Sequence, residues 1–170
     1  MLIAFSGLPG TGKTTLARAL AAELKACYIR IDTIEEALLG DGGQSLARGD
    51  AGYCVAYAIA EDNLKLGRTV IADSVNPLRL TRQAWKDTAK RAGAAIVEVL
   101  VVCSDKAEHR RRIETRPSGA RASNWLEVLS REFDTAEGMA ISIDTAGRTA
   151  GQSLAGLLAA LQSKQGELET

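Results

Sequence analysis

The chain has no net charge: 21 Lys and Arg stand against 21 Asp and Glu in 170 residues. That balance excludes a chain-wide positive field for gripping nucleic acid or an anionic membrane, so any anion site has to be local. Cysteine is scarce. Cys27, Cys54 and Cys103 are odd in number, lie far apart and form neither a CxxC pair nor a Cys/His ligand spacing, which argues against a disulfide framework and a zinc site and fits a reduced cytosol. The single histidine, His109, reads as a surface helical residue rather than a catalyst. Long apolar runs are missing too. Leu2 to Phe5 has no basic segment ahead of it and is broken by Ser6 and Gly7, so neither a signal peptide nor a membrane span is expected, and the protein reads as soluble and cytoplasmic. There is no internal repeat and no long linker; the length suits one domain, residues 1–170, around one sizeable core.

What is present is an alternation of two periods. Met1 to Ser6 is a short apolar run bounded by glycine, as expected of a strand buried on both faces. From Thr14 to Ala26, Leu16, Leu20 and Leu24 recur every four residues, the period of an amphipathic helix. Tyr28 to Ile31 reads as a second strand ending at Asp32, Ser45 to Leu66 as mostly helix stopped by Gly67, and Arg68 to Ala72 as a third strand with Asp73 at its end. Asn76 and Pro77 give a cap-plus-first-turn signal for a helix ending at Gly93. Ala95 to Cys103, rich in Val and Ile, is the most strand-like run. Asp105 and Glu108 resemble a capping box for a helix that stops near Pro117. A helix from Ser123 to Asp134, a fifth strand from Ala140 to Ile143, a helix from Ser153 to Leu161 and a polar, frayed tail complete the pattern. Alternating strands and helices predict an α/β fold, a parallel sheet covered on both faces.

One motif stands out in that frame. GLPGTGKT, Gly7 to Thr14, satisfies GxxxxGK[ST], and its context, a buried strand before it and a strong helix after it, is the one a phosphate loop requires. In that setting the backbone N–H groups from Gly10 onward form an anion nest, the helix N-terminus adds its dipole, Lys13 reaches the β- and γ-phosphates and the Thr14 hydroxyl ligates Mg²⁺. The competing explanation, an ordinary Gly-rich turn, leaves the Lys-Thr pair without a reason. Gly7, Leu8, Pro9, Gly10, Thr11, Gly12, Lys13, Thr14 and Thr15 are therefore the expected nucleotide-binding set.

Two carboxylates end neighbouring strands. Asp73 in TVIADS is placed to hold Mg²⁺, directly or through water, or merely to cap a loop. Ser74 follows it, where a hydrolytic ATPase would carry a Glu to polarise water. Asp32 in RID faces the same crevice, because ligand-binding groups gather at the carboxyl ends of parallel strands; it can accept the proton of an attacking hydroxyl or cap the helix beginning at Thr33 or Ile34. Arg30 lies deeper and reads as structural. Ser104 to Arg121 holds six cationic side chains against three carboxylates. Within it Arg112 and Arg116, one helical turn apart, can clamp a phosphoryl group or stack on adenine, or simply form part of a solvated face.

These segments together resemble the small P-loop kinases, a group that includes adenylate kinase, gluconate kinase, chloramphenicol phosphotransferase and bacterial polynucleotide 5′-kinase domains, and whose predicted-kinase branch is often labelled AAA-family ATPase. GLPGTGKTTLA, RIDTIEEAL, VIADSVNPLRLTR, CSDKAEHRRRIETR and NWLEVLSREFD carry the resemblance along almost the whole chain. It implies a three-layer P-loop NTPase fold with a five-stranded parallel sheet ordered 2-3-1-4-5. It also implies an Arg-rich lid at about residues 104–131, and an acceptor-facing role for Asp32. The sequence lacks the nucleotide-monophosphate signatures of adenylate kinase and has DTIEE where gluconate kinase has a His-Gly-Asp-type segment, so the donor is implied and the acceptor is not.

The resulting expectation is an ATP- and Mg²⁺-dependent phosphotransferase acting on a hydroxyl of a small-molecule or nucleoside-like acceptor, as monomer or homodimer. Lys13, Asp32, Arg112 and Arg116 are its catalytic candidates, Thr14 and Asp73 its metal ligands. Asp32, Arg48, Asp50 and Asn76 are its acceptor contacts, with Gly40 to Tyr53 as part of the acceptor wall. The alternatives are a nucleotide-binding ATPase or switch module acting on a protein partner, and a polynucleotide 5′-hydroxyl kinase; a 5′ end is the one nucleic-acid partner left open.

Overall fold

A computed structural model describes residues 1–39, 50–115, 124–131, 133–134 and 141–168. Five strands, β1 (Leu2–Ser6), β2 (Cys27–Arg30), β3 (Val70–Asp73), β4 (Ile96–Val102) and β5 (Ile141–Asp144), form one sheet in the order β2-β3-β1-β4-β5. Every adjacent pair is parallel. Seven helices are described: α1 (Lys13–Leu24), α2 (Ile31–Leu39), α3 (Ala51–Lys65), α4 (Arg79–Arg91), α5 (Lys106–Glu114), α6 (Trp125–Ser130) and α7 (Ala150–Leu168). Class, strand order and layering match the expectation.

Period-2 alternation along the strands sorts the core into two halves. Ile3 and Phe5 of β1, with Ile71, Val97, Val99 and Val101, pack against Leu16, Ala17 and Leu20 of α1 and Leu157 and Leu161 of α7. The intervening residues Leu2, Ala4, Val70 and Ala72 face the other way, onto Ala56, Ala60 and Leu64 of α3 and Trp85 and Ala89 of α4. β1 is buried along its whole length, which suits the apolar run Leu2 to Phe5. The sheet also sets the level of the functional groups. Phe5, Asp73 and Arg30 are register partners across β1, β3 and β2, so Asp73 and Arg30 emerge side by side where β1 passes into the phosphate loop.

Several boundaries differ from the sequence pattern. β2 ends at Arg30, and Ile31 opens α2 with no intervening loop, so Asp32 lies inside the first helical turn instead of ending a strand or capping a helix. Ile31 is apolar and buried, which makes it look like strand; packing of its side chain against α3 and α4 holds equally well from the first turn of a helix. Asn76 and Pro77 do not start α4, which begins at Arg79; Asn76 has φ 50 and is fully buried. The capping box on α5 is half-formed. Asp105 accepts from the N–H groups of Ala107 (2.9 Å) and Glu108 (3.0 Å), but the Glu108 carboxylate turns to Arg112 and the N–H of Gly147. α6 is shorter than expected, with Asn124 accepting from the Glu127 N–H, and α7 runs on to Leu168 rather than fraying after Leu161. The first part of the expected Ser45–Leu66 helix falls outside the described residues. Among the described residues, no helix is long and apolar enough to cross a membrane.

Trp85 is the largest fully buried side chain and meets Tyr57 edge-on at 4.6 Å between ring centroids. Trp85→Ala should destabilise the fold by about 3–5 kcal/mol, read from urea denaturation, because the α3–α4 layer cannot collapse around a hole of that size.

Candidate active site

The phosphate loop is held as a sharp bend between β1 and α1. The Gly7 N–H donates to Val75 O (3.1 Å), and a Cβ at Gly7, where φ is 150, would come within 2.4 Å of the Val101 carbonyl oxygen. At Gly10, φ is 83, and a Cβ would meet the Ile113 side chain at 2.6 Å. Both positions therefore demand glycine, one for its approach to β4 and one for its approach to α5. Inside the bend, the Thr11 hydroxyl donates to Leu8 O at 2.9 Å. Gly12, with φ 88, leads directly into α1, so the free N–H groups of the helix start face the cleft.

Lys13 points back across the sheet instead of into solvent. Its Nζ lies 3.0 Å from Asp73 Oδ1, with the two residues 7% and 1% exposed. Tyr28, two residues before Arg30 on the same face of β2, donates its hydroxyl to Asp73 Oδ2 at 2.7 Å. Burial pushes the Asp73 carboxyl up, but the Lys13 charge and the hydrogen bonds from Tyr28, Lys13 and Thr14 outweigh it and hold the group below its ordinary value of 3.8. The Tyr28 phenol moves the other way, raised by burial and by its bond to Asp73. Arg30 joins the second carboxylate to this cluster: Nη2 donates to Asp32 Oδ2 at 2.8 Å while Nε sits 3.9 Å from Asp73 Oδ2. Arg30 is thus the link between the two carboxylates, a role its position in β2 does not announce.

A cleft of about 1090 Å³ opens in front of these groups. One side is the loop, with Gly10, Gly12, Lys13 and Thr14; the other carries Asp32 and Glu35 from α2, Tyr53 and Tyr57 from α3, and Asp50 just ahead of α3. Asp32 and Asp50 therefore share the cleft with the loop. Asn76 does not join them: it is fully buried, its Nδ2 donates to Ser6 Oγ at 3.0 Å and its N–H to the Tyr53 hydroxyl at 3.2 Å, so it braces the loop from behind. Arg48 and Arg116 lie outside the described residues. Arg112 lines the cleft, yet its guanidinium already donates to Glu108 Oε1 (2.7 Å), Thr145 Oγ1 (2.8 Å) and Thr145 O (3.0 Å). His109 is the clearest departure from expectation. It is buried on the inner face of α5, 7% exposed, with Nε2 2.7 Å from Pro9 O and Trp125 of α6 edge-on against its ring.

Among the described residues no group of three or more His, Cys, Asp or Glu side chains is arranged to hold a metal ion by itself. Thr14 and Asp73 nevertheless offer hard oxygen donors beside the loop, a set that suits Mg²⁺ once phosphate oxygens complete the shell. Tyr28, Arg30, His109 and Thr145 escaped the sequence pattern because each has a partner remote in the chain, Asp73 for the first two, Pro9 and Thr11 for the others. The only sequence signal was for Thr145, a hydroxyl one residue past the end of β5.

Because the Asp73 carboxyl is held low, its contribution to stability is fully present above pH 3.8 and is lost as pH falls through the lower folded value. Asp73→Asn leaves Lys13 buried and unpaired, so it should cost about 3–5 kcal/mol at neutral pH. The gap from wild type should shrink as pH drops below that point. Urea midpoints of both proteins between pH 7 and pH 2.5 check the sign.

The fold recurs in solved structures. The structure is similar to gluconokinase from Sinorhizobium meliloti 1021 (16% identity, TM-score 0.68, covering 98% of this chain and 94% of that one). It is similar to the Mycobacterium tuberculosis APS kinase CysC in complex with AMPPNP and APS (17%, 0.69, 95% and 96%). Kti12 from Chaetomium thermophilum in complex with ADP-AlF3 matches comparably (24%, 0.66, 94% and 98%). At these identities the likeness establishes the shared fold. No curated protein sequence matches. Residues 2–135 match the family AAA_33, described as an AAA domain. With four-fifths of its length inside that match, the chain belongs to the AAA_33 family of AAA domains.

Proposed function

We propose that the protein is an ATP- and Mg²⁺-dependent phosphotransferase that moves the γ-phosphoryl group to a hydroxyl of a small-molecule or nucleoside-like acceptor. The observation that carries this reading is the cleft itself: one continuous space lined on one side by the phosphate loop with Lys13 and Thr14, and on the other by Asp32, Asp50 and Tyr53. A site built only for hydrolysis needs a water-polarising base beside Asp73, where this chain has the buried Ser74. The fold relatives with AMPPNP and APS, and with the name gluconokinase, support phosphoryl transfer as the class of reaction.

In this reading the loop amides and Lys13 bind the donor phosphates, Lys13 leaving its partner Asp73 to do so. Thr14 and Asp73 hold Mg²⁺, which when bound neutralises charge on the phosphoryl oxygens. Tyr28 fixes the Asp73 carboxylate in place. Asp32 orients the acceptor hydroxyl and takes its proton as the new O–P bond forms and the bond to the β-phosphate oxygen breaks. Arg30 holds Asp32 toward the cleft, and Arg112 with Arg116 contacts the phosphates. The whole chain acts as one domain, with residues 104–131 covering the donor.

A phosphate-transfer screen with γ-labelled ATP against pooled metabolites, nucleosides, oligonucleotide 5′ ends and aminoglycoside or phenicol antibiotics tests the proposal. Wild type should label an acceptor. Lys13→Met should lower turnover by about 100-fold or more, and Asp32→Asn by about 100- to 10,000-fold. Equal transfer by Asp32→Asn removes the general-base role. ATP turnover that needs no acceptor and rises with a protein partner replaces the kinase with the switch module.

A further inference from the structure

His109 is the one histidine in the chain, it is almost fully buried, and the reaction proposed above gives it no task. Its contacts define one. A carbonyl oxygen only accepts, so at 2.7 Å from Pro9 O the His109 Nε2 must carry a proton and donate it. The chain contains no cis peptide in the described residues, so the Pro9 carbonyl and the Gly10 N–H point in opposite directions within one rigid plane. Holding the carbonyl against α5 therefore turns the Gly10 N–H away from α5. A second tie repeats the device two residues on: the Thr145 hydroxyl, within 2.8 Å of Thr11 O, holds that carbonyl and so turns the Gly12 N–H the other way. Arg112 of α5 donates to the same hydroxyl, whose one proton is shared between Thr11 O at 2.8 Å and Val102 O at 3.1 Å, the shorter contact being the one to the loop.

The ring of His109 is itself fixed. Trp125 of α6 stands edge-on to it with centroids 5.2 Å apart, and the His109 Cδ2 lies 3.1 Å from where a Cβ on Gly10 would sit, next to the Ile113 side chain. Proline at position 9 has no N–H to donate, and its carbonyl is met by the His109 ring. We infer that His109 is a positioning residue for the nucleotide site: by holding the Pro9 carbonyl it aims the Gly10 amide at the donor phosphates, so that α5 sets the shape of the anion nest from outside. The inference rests on the nucleotide site proposed above. It goes further in assigning α5 the task of pre-setting the nest before any phosphate arrives, with His109 and the Arg112–Thr145 pair as its two points of grip.

Glutamine and methionine are close in size, and only glutamine can donate. His109→Gln and His109→Met are therefore compared by titration with a non-hydrolysable ATP analogue plus Mg²⁺, with inorganic tripolyphosphate, and with adenosine. His109→Met should weaken the ATP analogue and tripolyphosphate by about 10-fold each, the effect of losing one aligned donor. Adenosine should change less than about 2-fold. His109→Gln should recover most of the loss, with thermal midpoints of the two variants within a few degrees. The inference is overturned if methionine binds the phosphate ligands as wild type does, if adenosine weakens as much as they do, or if glutamine is no better than methionine. Failure of wild type to bind the ATP analogue overturns the proposed function as well, whereas any of the other outcomes overturns the inference alone.

Discussion

A lysine ammonium buried at the start of α1 needs a counter-charge, and Asp73 at the end of β3 supplies it. Much of the functional end of the molecule follows from that contact. It fixes where the phosphate loop ends against the sheet and occupies one oxygen of the carboxylate, leaving Tyr28 the other. It also brings Arg30 within reach, so that Asp32 joins the cluster. Buried ion pairs are costly to desolvate, and replacing one with apolar groups is often neutral for stability. A pair placed at the mouth of a cleft, with helix-start amides beside it, has a better rationale as a charge held ready for a polyanion.

The fold supports this arrangement through register more than through any special motif. A parallel sheet with Phe5, Asp73 and Arg30 in line presents its polar ends at one level, and helices pack on both of its faces. The Ala-rich face of α3 lets that helix lie close on the sheet, which brings Asp50 and Tyr53 to the cleft rim. On the other flank α5 is anchored by His109, Ile113 and Arg112, so the arginine-bearing helix begins as a wall of the loop.

Local signals were legible in the sequence, and tertiary ones were not. The four-residue leucine period marked α1, the apolar run before Gly7 marked β1, and the pairing of loop with helix marked the anion nest. The resemblance to small P-loop kinases supplied the strand order. The β2–α2 junction was misplaced because Ile31 is apolar and β-branched, and burial against α3 and α4 suits either state. Asn76-Pro77 reads as a helix cap, but burial against Ser6 and Tyr53 takes the Asn side chain elsewhere. His109 looked like a surface residue because its neighbours are charged. Its partner, Pro9, lies 100 positions away, and no periodicity within α5 encodes that.

The central claim is that Lys13 and Asp73 are partners awaiting a nucleotide, and a crystal structure with a non-hydrolysable ATP analogue and Mg²⁺ tests it most directly. The account predicts phosphates in the loop, Lys13 Nζ moved from Asp73 onto a β- or γ-phosphate oxygen, and Asp73 and Thr14 at the metal. An analogue bound elsewhere, or phosphates in the loop with Lys13 still 3.0 Å from Asp73 Oδ1, would contradict it.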